Sequence, residues 1–191
     1  MKIIIIGAGP SGITAGIFGK TKKKLLITGN GKCNYFNENF NINHYYSNNL
    51  EKLTNLITEE NKNRVIDFIS NIGITPRIKN GYYYPASNQA YSIHNALLKE
   101  AQIKGVKIIT ETIVSNIIKK HDKFIIKTNN EEYIADKLII STGSTSCPKT
   151  GSDGQGYQLA KSFNHKINKV YPALVSLVSS DKFIKELSGV R

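Results

Sequence analysis

Residues 2–6 run Lys-Ile-Ile-Ile-Ile and pass directly into Gly-Ala-Gly-Pro-Ser-Gly at residues 7–12. An unbroken apolar run of this kind predicts a strand covered on both faces, as in a parallel sheet. A helix is predicted from Pro10 or Ser11 to Phe18, because proline is tolerated in a first turn. A lysine-rich stretch, a short apolar piece at 25–28 and a turn-rich loop at 29–34 follow. Residues 35–49, crowded with Asn and Tyr, show no period. Helices are predicted near 50–58 and 62–72. In the second, Val65, Phe68, Ile69 and Ile72 share one face, and Gly73 stops it. Residues 74–78 and 82–84 flank Asn80-Gly81, a strong hairpin signal. After Pro85 a helix is predicted over 88–104, with Ser87 placed to cap its start and Gly105 after its end. Residues 106–110 read as a buried strand. Residues 112–118, 124–128 and 133–134 read as a three-stranded antiparallel meander. Residues 137–141 form a second bare strand ending in Thr142-Gly143-Ser144. Glycine-rich residues 151–156 lead into a last helix over 157–163, and 171–178 reads as one strand of an unfinished unit.

The pattern predicts an α/β fold. A parallel sheet begins with the strand before the glycines, an antiparallel three-stranded meander crosses over, and a second glycine-ended strand returns to the same edge. The glycines supply the candidate chemistry. Gly7 allows the tight turn out of the strand, Gly9 lets a pyrophosphate approach the backbone, and Gly12 lets the helix pack close to the strand. The N–H groups at the helix start and the helix dipole then favour phosphate. Gly-x-Gly-x-x-Gly alone is weak; here it follows a strand and opens a helix, the context a dinucleotide site requires. The competing reading is a glycine-rich strand–helix turn with no ligand.

Length and charge narrow the picture. The 191 residues suffice for one domain, or one domain and part of another. A net charge of +12 raises nucleic acid as a partner. Yet Arg64, Arg77 and Arg191 are the sole arginines among 26 basic residues, and arginine is the residue suited to bidentate phosphate and base contacts. The cluster Lys20, Lys22, Lys23 and Lys24 reads as a solvated loop before it reads as a polyanion site. Cys33 and Cys147 are too few for a disulfide scaffold and lack metal-ligand spacing, which points to a reducing cytoplasm. No apolar run is long enough for a transmembrane helix, and the opening isoleucines are not a signal peptide. No membrane association and no metal are expected. His44, His94, His121 and His165 are scattered, so no general base is nominated. Tyr82, Tyr83 and Tyr84 read as a core-packing hairpin strand, and Asp153 as a residue that orients the last helix.

Several segments, taken in order, resemble one family. They are residues 7–12, Thr28-Gly29-Asn30-Gly31-Lys32-Cys33-Asn34, residues 81–87, Ser141-Thr142-Gly143-Ser144, residues 151–157 and Pro172-Ala173-Leu174-Val175. Together they are similar to the bacterial flavoproteins with two dinucleotide-binding motifs often labelled NAD(P)/FAD-dependent oxidoreductases, a family with aminoacetone-oxidase-like and bile-acid-operon members. The resemblance implies a Rossmann-like FAD-binding sheet and a flavin-dependent oxidoreductase, with NAD(P)H as a candidate electron donor and a small-molecule substrate. By that resemblance Gly7, Gly9, Pro10, Ser11 and Gly12 hold the pyrophosphate. Gly31, Lys32, Cys33 and Asn34 lie near the ribityl chain and flavin, with Cys33 as a small packing residue. Val114 meets adenine through its backbone, and Thr142 and Gly143 close over the cofactor.

Two departures from the family pattern stand out. A dinucleotide unit carries an Asp or Glu about 20 residues past the glycines, at the end of a second strand. Residues 1–37 contain no Asp or Glu, and Glu38 is the first. The second strand and its acid are therefore expected to be missing. The chain also covers about the front half of a typical member. The expected organisation is a dinucleotide-binding domain over 1–165 and the start of an incomplete β-rich domain over 166–191. The alternative to an oxidoreductase is a non-catalytic remnant or nucleotide-binding module without a competent flavin site.

Overall fold

In the computed structural model the described residues are 1–7, 9–17, 31–148, 151–172 and 183. The opening isoleucines form β1 (Ile3–Ile6), and α1 (Pro10–Ile17) follows the glycine turn. Then come β2 (Phe36–Asn37), α2 (Leu50–Leu56), α3 (Glu59–Asn71), β3 (Pro76–Lys79), β4 (Tyr82–Pro85) and α4 (Ala90–Ile103). The second half holds β5 (Val114–Lys120), β6 (Lys123–Thr128), β7 (Glu132–Ala135), β8 (Lys137–Ile140) and α5 (Gln155–Lys161). The fold is Rossmann-like α/β.

The β1 strand pairs parallel with β8, Ile3 opposite Lys137 through Ile6 opposite Ile140. Among the described residues this is a two-stranded sheet. Its burial therefore differs from that of a central parallel strand. Ile5 and Ile6 are buried, but Ile3 is 36% exposed and Ile139 38% exposed, because no further described strand flanks either edge. The expected strand over residues 106–110 is absent for the same reason: the segment is irregular and largely exposed, with no described strand beside it. The apolar piece at 25–28 and the lysines at 20–24 lie outside the described residues, as does most of the expected strand at 171–178.

The meander matches expectation closely. It has order β5-β6-β7, a register shift between Val114 and Asn116, and a turn through His121 at φ +52°. The hairpin β3–β4 turns through Asn80 and Gly81 at φ +52° and +79°, the left-handed pair a two-residue turn needs. The unpatterned Asn/Tyr stretch adds a short strand, β2, to the edge of β4. The cap on α3 is Thr58, whose side chain accepts from the Asn61 N–H. The helix α4 departs from expectation. Its N-cap position is Gln89, which makes no side-chain cap bond; Ser87 instead accepts from the Gln89 N–H at 3.3 Å and bonds Ser92 Oγ at 2.7 Å.

Two cores result. In one, Ile13 of α1 packs with Cys33, Ile69, Ile74, Ala90, Ile93 and Leu97. In the other, Ile6 of β1 packs with Val114, Ile117, Ile126, Ala135 and Leu159. Asp136 ties the second to the open end of the sheet. Its carboxylate accepts from the Lys2 N–H and the Lys123 ammonium, and its own N–H donates to the Lys2 carbonyl at 2.8 Å.

The hydrogen bond from Lys123, then that from the Lys2 amide, holds the Asp136 carboxyl below its ordinary value of 3.8. A depressed folded-state value stabilises the fold above pH 3.8 and loses that contribution as pH falls through the lower folded value. Acid unfolding followed by circular dichroism is expected to show this step in the wild type and a flatter profile in Asp136→Asn. Superimposable profiles would refute the assignment.

Candidate functional site

Sequence and sterics together build the junction after β1. Gly7 has φ +125°, and an added Cβ would lie 2.3 Å from the Ser141 carbonyl carbon and oxygen. A Cβ on Gly12 would lie 2.1 Å from the Gly7 carbonyl oxygen and 2.9 Å from Ser141 Oγ. Gly7 and Gly12 are thus required by packing as well as by the turn. Ser141 fastens the ends of the two strands: both its N–H, at 2.7 Å, and its hydroxyl, at 3.2 Å, meet the Ile6 carbonyl. The helix opens on Gly9, whose carbonyl accepts from the Ile13 N–H at 2.9 Å. The N–H groups of Ser11 and Gly12 lie in the first turn, before any intrahelical acceptor is in reach. They form the anion-favouring end of an eight-residue helix.

The turn after β8 completes the rim. Thr142 packs on α5 so tightly that a Cβ on Gly156 would lie 2.1 Å from its Oγ1. Gly143 is exposed at φ +83°. The buried Ser152 hydroxyl lies 3.2 Å from the Thr142 carbonyl and 2.5 Å from that of Ser144. Asp153 orients α5 as expected, its carboxylate accepting from the Gln155 N–H at 2.9 Å.

A cleft of about 760 Å³ opens beside this rim, within the usual range for small-molecule and cofactor sites. It is lined by residues 2–7, which include β1, and by residues 107–114; among the described residues β1 pairs only with β8. Thr142, Asp153 and Gln155 also line it. Of the expected cofactor residues, Gly7, Val114 and Thr142 border the cleft. Gly9, Pro10, Ser11 and Gly12 sit at the adjoining helix start and are not in its lining. Neither is Gly143, nor the loop residues Gly31, Lys32, Cys33 and Asn34. In that loop Gly31 and Cys33 adopt positive φ. Cys33 is buried against Ile13 and the first core, while Lys32 and Asn34 are exposed.

The structure adds one contact that sequence reading missed. Gln155 Nε2 donates to the Val114 carbonyl at 2.8 Å across 41 residues of chain. The backbone acceptor expected to meet adenine is therefore already engaged, and its side chain is buried in the second core. No local pattern announces such a bond, because it depends on where α5 docks.

The remaining candidates lie elsewhere. His94 is buried on α4, 3.4 Å from Asn95 Oδ1 and stacked on Tyr91; His44, His121 and His165 are exposed. Tyr83 packs edge-on against Tyr35 and Phe36 and donates to Glu38 at 3.2 Å. Burial and then that carboxylate push its phenol up. None of these residues lines the cleft. Among the described residues no cluster could hold a metal ion, and no helix is long and apolar enough to cross a membrane.

Residues 1–173 match the family described as HI0933-like protein Rossmann domain. Over its whole length the chain is 32% identical to 3-dehydro-bile acid delta(4,6)-reductase of Clostridium scindens, covering 50% of that protein. It is 28% identical to ribosomal RNA dihydrouridine synthase of Haemophilus influenzae, with 98% of this chain and 52% of that protein covered. Among solved structures it is similar to CtdE in complex with FAD, with a TM-score of 0.38 and 19% identity over 75% of this chain and 38% of that one. The chain spans about half the length of the curated relatives it matches. The alignment with the reductase runs over 206 positions against 191 residues here, so at least 15 positions of that relative have no counterpart in this chain.

The close contact at Gly12 has a measurable consequence. Gly12→Ala places a methyl group against the Gly7 carbonyl, and overpacking of this kind costs about 1–3 kcal/mol. Urea denaturation is expected to show that loss, and a variant as stable as the wild type would contradict the contact.

Proposed function

The chain belongs to the family of HI0933-like protein Rossmann domains, and from that premise we propose that it is the FAD-binding part of a flavin-dependent oxidoreductase. One observation carries the reading. Gly7, the first residue of the glycine turn, and Thr142, at the carboxyl ends of the parallel pair β1 and β8, both line a cofactor-sized cleft, and the carboxyl ends of the strands are where dinucleotides bind in such folds. The residues present fit the group: Gly7 and Gly12 let α1 start hard against the ends of β1 and β8, and the first N–H groups of α1 have no intrahelical acceptor, so a pyrophosphate can take them. Ser11 and Gly12 would hold the phosphates, Val114 the adenine edge through the second lone pair of the carbonyl that Gln155 already bonds, and Thr142 with Gly143 the near side of the cofactor. Lys32 and Asn34, both exposed, are the polar groups available toward the flavin end.

When bound, FAD supplies the hydride and electron transfer. The chain's own residues bind, orient and exclude water. The proposal extends to NAD(P)H as electron donor, a small-molecule substrate, a bacterial cytoplasmic setting, and a division into a dinucleotide-binding domain over 1–165 and a further domain beginning at 166. RNA is the competing substrate class. The net charge of +12 and a relative named for ribosomal RNA favour it; the scarcity of arginine weighs against it.

A second reading, a nucleotide-binding module without flavin chemistry, is favoured by the two-stranded parallel sheet among the described residues and by the absence of Asp or Glu from residues 1–37. Uptake of FAD separates the two. The purified chain, incubated with FAD and freed of excess, is expected to be yellow, with oxidised-flavin absorption at about one equivalent. A colourless protein would overturn the leading reading. Binding to ribosomal RNA that weakens steeply with salt would replace the small-molecule substrate.

A further inference from the structure

The dinucleotide reading leaves one requirement unmet. The adenosine ribose is ordinarily held by a carboxylate at the end of a second parallel strand, and residues 1–37 offer none. We propose that Glu111 is the ribose-binding carboxylate of this chain, an inference that rests on the dinucleotide reading of the same cleft.

Position is the first argument. In the complete fold the acid sits beside the carboxyl end of β1, next to the glycine turn. Here β1 and Gly7 line a cleft that residues 107–114 also line. That segment ends at Val114, whose carbonyl bonds Gln155 beside Thr142 and Gly7. Glu111 precedes Val114 by three residues, so the two backbones lie no farther apart than about 10 Å. Adenine at Val114 and ribose at Glu111 would be read from one stretch of chain.

Availability is the second. Only two carboxylates, Glu111 and Asp153, are among the described residues that line the cleft. Asp153 already accepts from the Gln155 N–H. The Glu111 side chain is exposed and makes no hydrogen bond or ion pair among the described residues. Its backbone is nonetheless held. Asn129 Nδ2 donates to the Glu111 carbonyl at 3.4 Å, and the Ile113 N–H and carbonyl are bonded by Asn129 at 2.8 and 3.1 Å. The carboxylate is therefore mounted on a segment clamped to the meander, with its oxygens left for a ligand.

Calorimetric titration of the full chain with ADP and with 2′,3′-dideoxy-ADP tests this. A hydrogen bond to a charged group makes the wild type prefer ADP by about ten- to a hundredfold. Glu111→Ala is expected to bind both nucleotides alike, near the affinity of the wild type for the dideoxy compound. Glu111→Gln, which keeps a neutral acceptor, is expected to retain a smaller preference. A full preference surviving in both variants, or its loss in Asp153→Asn instead, would overturn the assignment while leaving the dinucleotide reading standing. A wild type that binds neither ADP nor FAD would bring down both.

Discussion

At the carboxyl ends of β1 and β8 the backbones of four elements meet with no room for one more carbon between them. Gly12 of α1 lies on the Gly7 carbonyl, Gly7 on the Ser141 carbonyl, and Gly156 of α5 on the Thr142 hydroxyl. Everything functional in the molecule depends on this contact. It brings the first turn of α1, the turn after β8 and the start of α5 to one rim. Side chains of any size would push those elements apart, and the first turn of α1 would no longer share a rim with Thr142 and α5. Ser141, bonding the Ile6 carbonyl through both its N–H and its hydroxyl, pins the strand ends in register there.

The two cores follow from the same junction. Ile13, one residue past Gly12, points α1 into the core with α3 and α4; Ile6, one residue before Gly7, anchors the core shared by the meander and α5. The strand pair between them is thin. A parallel strand is normally flanked on both sides; among the described residues β1 pairs only with β8, Ile3 is exposed, and the cleft is lined by residues 2–7 and 107–114. An open strand edge is a liability for pairing with other chains. In the proposed function the same edge gives a nucleotide access to the glycine turn.

Most of this architecture is legible in the sequence where the signal is local. The isoleucine run, the three glycines and Asn80-Gly81 each carry their own reason for a strand, a turn or a hairpin. The misreadings occur where partners decide. Residues 106–110 have a strand's composition but no described neighbour to pair with, so they are irregular. Ser87 has a capping side chain, but Asn88 at φ +58° moves the helix start on to Gln89. Of the cofactor residues expected from motif and resemblance, Gly7, Val114 and Thr142 border the cleft, while Gly9 and Gly12 do not line it. The Gln155 bond to Val114 has no local signal, because it depends on α5 docking beside β5.

The most direct test is to follow the backbone amide resonances of the chain as ADP is added. A nucleotide whose pyrophosphate rests on the β1–α1 turn is expected to move Gly7, Ser11, Gly12 and Ile13 most, with Val114 and Thr142 shifting at the same nucleotide concentration. Shifts that bypass this turn and fall on the exposed lysines of the meander would contradict the account.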